Sequence, residues 1–434
     1  MSIPRHRWNV VDTAAHGIAH LVGVEGLREF GDSIDVPHSR ADARKQRHRV
    51  HFSPSDFSSQ RKPMITRRRL IQDLGYFAAA GHLAGKASVA SLGPQSTPPS
   101  PSDVVWLDSN ENPLGPPPSA IKAMVDGMSA TARYHFDEFG KFREAIAQSE
   151  GLRPEQVLFG VGSTEVIDAA VSAFASSKPL ITATATYDIL IELERRLGRQ
   201  VVQVPLTESW GYPVRELVEE AVKAGGGLIY LCNPNNPTSS LTPKGDIEWL
   251  VTNLPPHSVL LVDEAYIHFA QPSEVESTLK YVREDKDVIV TRTFSKIYGM
   301  AGARAGFGCA RPDLLRAMEP FMDNVIPVLA LRGAMAALGD RDSLVPTRRA
   351  EFGRISGELC EWLHQKNIRY IEPHANFVMI DIGRDVRPFG QEMLGRGVAV
   401  GRPFPPLNQM LRVTLGTDQE MKKFREVFWQ VYTG

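Results

Sequence analysis

Lys296 closes the run Thr293-Phe294-Ser295-Lys296, just after an apolar segment, and Arg304 follows eight residues later in a Gly-rich stretch between Gly299 and Gly306. A lysine just past a buried strand is partly desolvated, which lowers its pKa and leaves a usable amine nucleophile. With Thr293 and Ser295 as hydroxyl donors and Arg304 as a fixed cation, the same segment can hold a phosphate beside that amine. A lone Ser-Lys pair is as readily a surface feature, so its neighbours must decide.

Three other segments place polar groups after apolar runs. Val259–Val262 leads into Asp263-Glu264-Ala265-Tyr266, which puts a carboxylate at the C-terminal end of a strand, where open α/β sheets gather ligands. Such an Asp is equally a turn cap. Leu228–Cys232 leads into the rigid polar turn Asn233-Pro234-Asn235-Asn236-Pro237-Thr238. Gly160-Val161-Gly162-Ser163-Thr164-Glu165 opens an apolar helix, and a helix N-terminus offers free N–H groups and a favourable dipole to an anion. By itself a glycine turn before a helix is more often simple capping.

In combination, the Asn-Pro-Asn-Asn-Pro-Thr turn, Asp-Glu-Ala-Tyr, and Ser-Lys with its arginine resemble the fold-type I aminotransferases, and within them the histidinol-phosphate aminotransferases. The resemblance covers about residues 103–430, including Asn110-Glu111-Asn112-Pro113 at the front and Leu411-Arg412 through Gly416-Thr417 at the back. It implies an α/β fold: a large domain with a mainly parallel seven-stranded sheet between helices, and a smaller α+β C-terminal domain. The implied cofactor is pyridoxal 5'-phosphate, carried covalently on Lys296, which would also move the proton between substrate and cofactor carbons.

Carried over by resemblance, Asp263 pairs with the protonated ring nitrogen, Tyr266 and Asn236 bond the ring's phenolic oxygen, and Tyr187 stacks on the ring face. Gly162, Ser163, Thr164, Thr293, Ser295 and Arg304 fall to the cofactor phosphate. Tyr134 would reach that phosphate from a partner subunit, which implies a homodimer. Arg412, Arg402 and Asn112 fall to the substrate. For the two arginines the alternative is a surface ion pair.

The implied reaction passes an amino group from a donor such as glutamate to a keto acceptor, with histidinol phosphate and 2-oxoglutarate as the first pair to consider. Alternatives are an aminotransferase for another amino acid, or a decarboxylase of the same fold resembling the threonine-phosphate decarboxylases, which share the lysine, aspartate and phosphate cup. Non-enzymatic readings are a regulator with an aminotransferase-like sensor domain, for which residues 1–63 lack a winged-helix pattern, and an exported binding protein with a dead site. The complete set of site residues argues against decay. One departure is local: Ser239 stands where the family turn has glycine.

These residues need a framework. The 434 residues exceed what one hydrophobic core usually supports, so two packed domains plus extra segments are expected. Short β-branched runs alternating with helical patterns, at Leu180–Thr184, Leu228–Cys232, Val259–Val262 and Val288–Thr291, predict a parallel sheet wrapped by helices. Long helical stretches with strands at Phe377–Ile380 and Leu411–Leu415 follow. The predicted divisions are an N-terminal arm at 103–125, a large domain at 126–320 and a small domain at 321–434.

Ahead of them, residues 1–63 read as a disordered or untranslated extension, and 91–102 as a Pro/Ser linker. Between these, Arg67-Arg68-Arg69, a moderately apolar stretch and Ala87-Ser88-Val89-Ala90 resemble a twin-arginine export signal over 64–90. The competing reading is a surface helix with a basic start. Export would make the product periplasmic, which sits oddly with histidine biosynthesis in the cytoplasm; without a working signal the enzyme is cytoplasmic.

Residues 1–100 carry 14 Lys and Arg against 8 Asp and Glu, and the remainder 35 against 42. That balance excludes nucleic-acid binding as the main activity, and no stable membrane span is expected. Cys232, Cys309 and Cys360 are too scattered for a disulfide framework or a metal site and read as small buried hydrophobes.

Overall fold

A computed structural model describes residues 103–434, so the extension, the export signal and the linker lie outside the described residues. Eight strands belong to its first two thirds: β1 (Val105–Leu107), β2 (Val157–Gly160), β3 (Leu180–Ala183), β4 (Val201–Val204), β5 (Gly227–Cys232), β6 (Ser258–Asp263), β7 (Val288–Thr293) and β8 (Gly306–Cys309). Four more follow: β9 (Tyr370–Ile371), β10 (Phe377–Asp381), β11 (Val398–Val400) and β12 (Met410–Thr414).

A seven-stranded sheet runs in the order β2-β8-β7-β6-β5-β3-β4, parallel throughout except for β8. Strands β5, β6 and β7 are buried along their whole length, and their Leu/Ile/Val runs fit a sheet covered on both faces. Edge strand β4 is half-buried. Chain order reverses between β3 and β5, since β4 lies outside β3 while β5, β6 and β7 continue the other way. The crevice beyond the C-terminal strand ends at such a reversal is where ligands enter open α/β sheets.

Strands β2, β4 and β8 were not among the expected strands, and for β8 the run Gly306-Phe307-Gly308-Cys309 shows why. The glycines are there for packing. A Cβ on Gly306 would collide with the backbone of Ser163, and one on Gly308 would stand 2.5 Å from Val166 Cγ1. The Ser163–Phe174 helix therefore lies directly on β8, and its N-terminus is brought against the lysine segment.

C-terminal to this sheet, β12, β10 and β9 form an antiparallel sheet in which Arg412 stands opposite Met379. The front segment is bound to this half of the chain, because β1 pairs in parallel with β11. Past β1, Asn110 takes a left-handed φ of 53°, donates its N–H to Thr414 Oγ1 at 2.9 Å, and its carbonyl accepts from Asn376 Nδ2 at 3.2 Å. No helix among the described residues is long and apolar enough to cross a membrane.

Candidate active site

The C-terminal ends of β3, β5, β6 and β7, the N-terminus of the Ser163–Phe174 helix, and segments 108–111 and 400–412 enclose a cleft of about 1080 Å³. Lys296 lies three residues past β7. Its Nζ donates to the carbonyl oxygens of Asn110 at 3.0 Å and Ser109 at 3.3 Å and lies 5.6 Å from the centroid of the Tyr266 ring. Burial, with Arg412 adding repulsion, holds its pKa down to about 8, so a fraction of neutral amine exists near pH 7.

Asp263 ends β6 as a buried carboxylate. Oδ1 accepts from Thr291 Oγ1 at 3.2 Å and the Ala265 N–H at 3.1 Å, and Oδ2 accepts from the Tyr230 hydroxyl at 3.3 Å. Burial outweighs these donors and raises its pKa to about 6. These donors are all neutral and no ion pair reaches Asp263 among the described residues, so the buried carboxylate suits a cation in the cleft. Three residues on, the buried Tyr266 hydroxyl accepts from Asn110 Nδ2 at 3.1 Å, and burial raises its pKa.

On the opposite flank, Gly162 has a φ of 81°, and a Cβ there would strike the Arg304 guanidinium. No side chain caps the helix that begins at Ser163, so its first-turn N–H groups remain for an anion. Arg304 Nη1 lies 3.5 Å from Ser295 Oγ, and Thr293 Oγ1 accepts the Ser295 N–H at 3.0 Å. Tyr187 closes this side with its hydroxyl 3.4 Å from Thr164 Oγ1; burial pushes its pKa up to about 12.

The last wall is cationic. Arg412 is buried, with Nη1 donating to Asn236 Oδ1 at 2.7 Å and Nη2 to the Asp108 carbonyl at 2.5 Å; burial lowers its pKa to about 10. Arg402 is half-exposed, and its Nη2 donates to both oxygens of Asp188, at 2.6 and 2.7 Å.

The family model for aminotransferase class I and II matches residues 102–428. The chain belongs to that family. Histidinol-phosphate aminotransferase of Symbiobacterium thermophilum is 34% identical over 334 residues, spanning 75% of this chain and 89% of that protein. Among solved structures, histidinol-phosphate aminotransferase from Sinorhizobium meliloti, in complex with pyridoxal-5'-phosphate, superposes with a TM-score of 0.69 at 24% identity, over 76% of this chain and 91% of that one. Aspartate aminotransferase from Thermus thermophilus, with maleate, reaches 0.67 at 22% identity, over 76% and 92%. Two named activities share the fold almost equally, so the fold does not choose the substrate.

This aminotransferase uses pyridoxal 5'-phosphate, and the residues present fit it: an uncapped helix N-terminus with Arg304 for the phosphate, and, for a ring cation, a buried carboxylate that meets no cation among the described residues. One residue expected at the substrate stands elsewhere. Asn112 is buried behind the cleft, donating Nδ2 to the carbonyls of Lys296 at 3.0 Å and Ile297 at 3.1 Å, so it shapes the lysine loop and does not line the cleft. Tyr134 is 66% exposed, stacks on Phe136 and does not line the cleft of its own chain.

Asn110, Tyr230 and Asp188 do touch the cleft or its carboxylate and escaped sequence reasoning. Asn110 lies within the front motif but only its left-handed backbone and cross-chain bonds reveal a task. Tyr230 reads as one more apolar strand residue. Asp188 follows Tyr187 in an unremarked loop and finds Arg402 only in the fold.

Proposed function

We propose that this aminotransferase exchanges an amino group between an amine bearing one anionic end and a 2-oxo dicarboxylate, with histidinol phosphate and 2-oxoglutarate as the pair. The reading rests on one observation: Lys296 Nζ, its pKa held near 8, shares a cleft with an anion-ready helix end on one side and Arg412 on the other. Its relatives named histidinol-phosphate aminotransferase support the choice of amine.

When bound, the cofactor supplies an aldehyde that takes up the amino group and a protonated ring that draws electrons from the substrate carbon. Lys296 would hold that aldehyde through Nζ, and its amine, partly neutral near pH 7, would serve as the base that moves a proton at the substrate carbon. Asp263, buried at the end of β6, would pair with the ring nitrogen and keep it protonated. Tyr266 and Asn236 would serve the ring oxygen, and Tyr187 would cover the ring, all three lining the same cleft.

Ser163, Thr164, Ser295 and Arg304 would hold the phosphate at the helix end, with Gly162 leaving room for Arg304 and Thr293 fixing Ser295. Arg412 takes the substrate anion. The active form is a homodimer in which Tyr134 of each chain reaches its neighbour's phosphate.

Incubation of the purified enzyme with histidinol phosphate and 2-oxoglutarate should yield glutamate. Glutamate formed only from other amines would reassign the substrate and leave the aminotransferase standing. We further propose that residues 64–90 direct export, so replacing Arg67 and Arg68 by lysine should retain a reporter fused to 64–102 inside the cell.

A further inference from the structure

The outer wall of the cleft is built around one ring: the guanidinium carbons of Arg402 and Arg412 lie 4.3 and 4.6 Å from the centroid of Phe404. The two cations differ in what holds them. Arg412 is buried, with its Nη groups committed to Asn236 and the Asp108 carbonyl. Arg402 is half-exposed, and a carboxylate of the chain itself, that of Asp188, lies on its Nη2.

An ion pair open to water on both sides contributes little and exchanges readily with solution ions. Asp188 is thus held on Arg402 no more firmly than a ligand carboxylate would be, and both its oxygens lie on the Nη2 that such a carboxylate would use. It also follows Tyr187 directly, which sets it at the mouth of the cleft.

We propose that Asp188 is a specificity-determining residue: an internal carboxylate that occupies Arg402 until a dicarboxylate displaces it. The inference rests on the reading above, in which Arg412 takes the anion nearest Lys296. A ligand with a single anion uses Arg412 and leaves Arg402 paired, so no bare cation faces the rest of the ligand. A ligand with two carboxylates uses both arginines and releases Asp188 to water. One cleft thereby accepts a singly anionic amine and a dicarboxylate acceptor in alternate halves of the reaction, without a second site.

The test uses binding on the cofactor-loaded enzyme, followed through the cofactor's absorbance. Glutarate and butyrate, a dicarboxylate and a monocarboxylate that do not react, are titrated into wild type, Asp188→Asn, Arg402→Gln and the double variant. Removing the internal competitor should tighten glutarate about fivefold, the scale of one exposed ion pair, and leave butyrate unmoved. Arg402→Gln should weaken glutarate and make the Asp188 change silent in the double variant.

Glutarate and butyrate shifting together in Asp188→Asn would make the residue a support for Tyr187 and overturn the proposal. So would unmoved glutarate in either single variant, or fold-changes that simply multiply in the double. Turnover of histidinol phosphate is read separately: its absence would remove that amine and leave the contrast between glutarate and butyrate intact.

Discussion

Arg412 on β12 and Asn236 after β5 meet at 2.7 Å across 176 residues of chain, joining the substrate-anion side of the cleft to the turn expected to touch the ring oxygen. The bond couples two tasks. Arg412 is the residue proposed for the substrate anion and Asn236 one of those proposed for the ring oxygen, and a single hydrogen bond spans them.

Arg412→Gln should raise KM for both substrates by roughly a hundredfold, the scale of about 2–3 kcal/mol for a charge-assisted contact, while cofactor affinity changes little. Steady-state kinetics with a cofactor titration checks this. Loss of cofactor in parallel with KM would instead give Arg412 a structural part.

Lys296 leaves a mark on stability before any cofactor binds. Its pKa is about 8 in the fold against an ordinary 10.5, so between those values the unfolded chain holds a proton that the folded chain has shed. Stability therefore rises with pH through that window, and the cost is fully present below about pH 8. In cofactor-free protein, Lys296→Met should be more stable at pH 7 by up to about 3 kcal/mol, with the advantage gone by about pH 11. Denaturation across that range is the measurement, and parallel curves for the two proteins would refute it.

Ser239 stands where the resembling family has glycine, and the structure supplies a reason. Its φ of 63° is left-handed, and its hydroxyl accepts the N–H groups of His374 at 3.1 Å and Ala375 at 2.9 Å, tying the turn after β5 to the approach to β10. Ser239→Ala keeps the strained backbone and loses both bonds, at about 2–3 kcal/mol; Ser239→Gly loses the bonds but relieves the strain, at about 1 kcal/mol less. Urea denaturation of the pair should rank glycine above alanine.

The central sheet was largely legible because β5, β6 and the first half of β7 are buried on both faces and therefore written in apolar runs, and the groups at or just beyond their ends are polar for a reason. Strand β8 was not legible, since its glycines answer to the helix lying on it and mimic a loop. At the site, Lys296, Asp263, Asn236 and Arg412 carry their chemistry in their motifs. Asp188 and Asn110 do not, because each acquires its partner only through contacts 214 and 156 residues away. Asn112 shows the converse: a residue conspicuous in a motif whose side chain is spent on the backbone that aims Lys296.

The most direct measurement fixes the cofactor where it is bonded. The cofactor-loaded enzyme is reduced with borohydride, digested, and its peptides weighed, with Lys296→Ala treated alongside. The account predicts one modified residue, Lys296, and no adduct or visible absorbance band in the variant. An adduct on another lysine, or a wild-type protein that neither colours nor retains added cofactor, would contradict it.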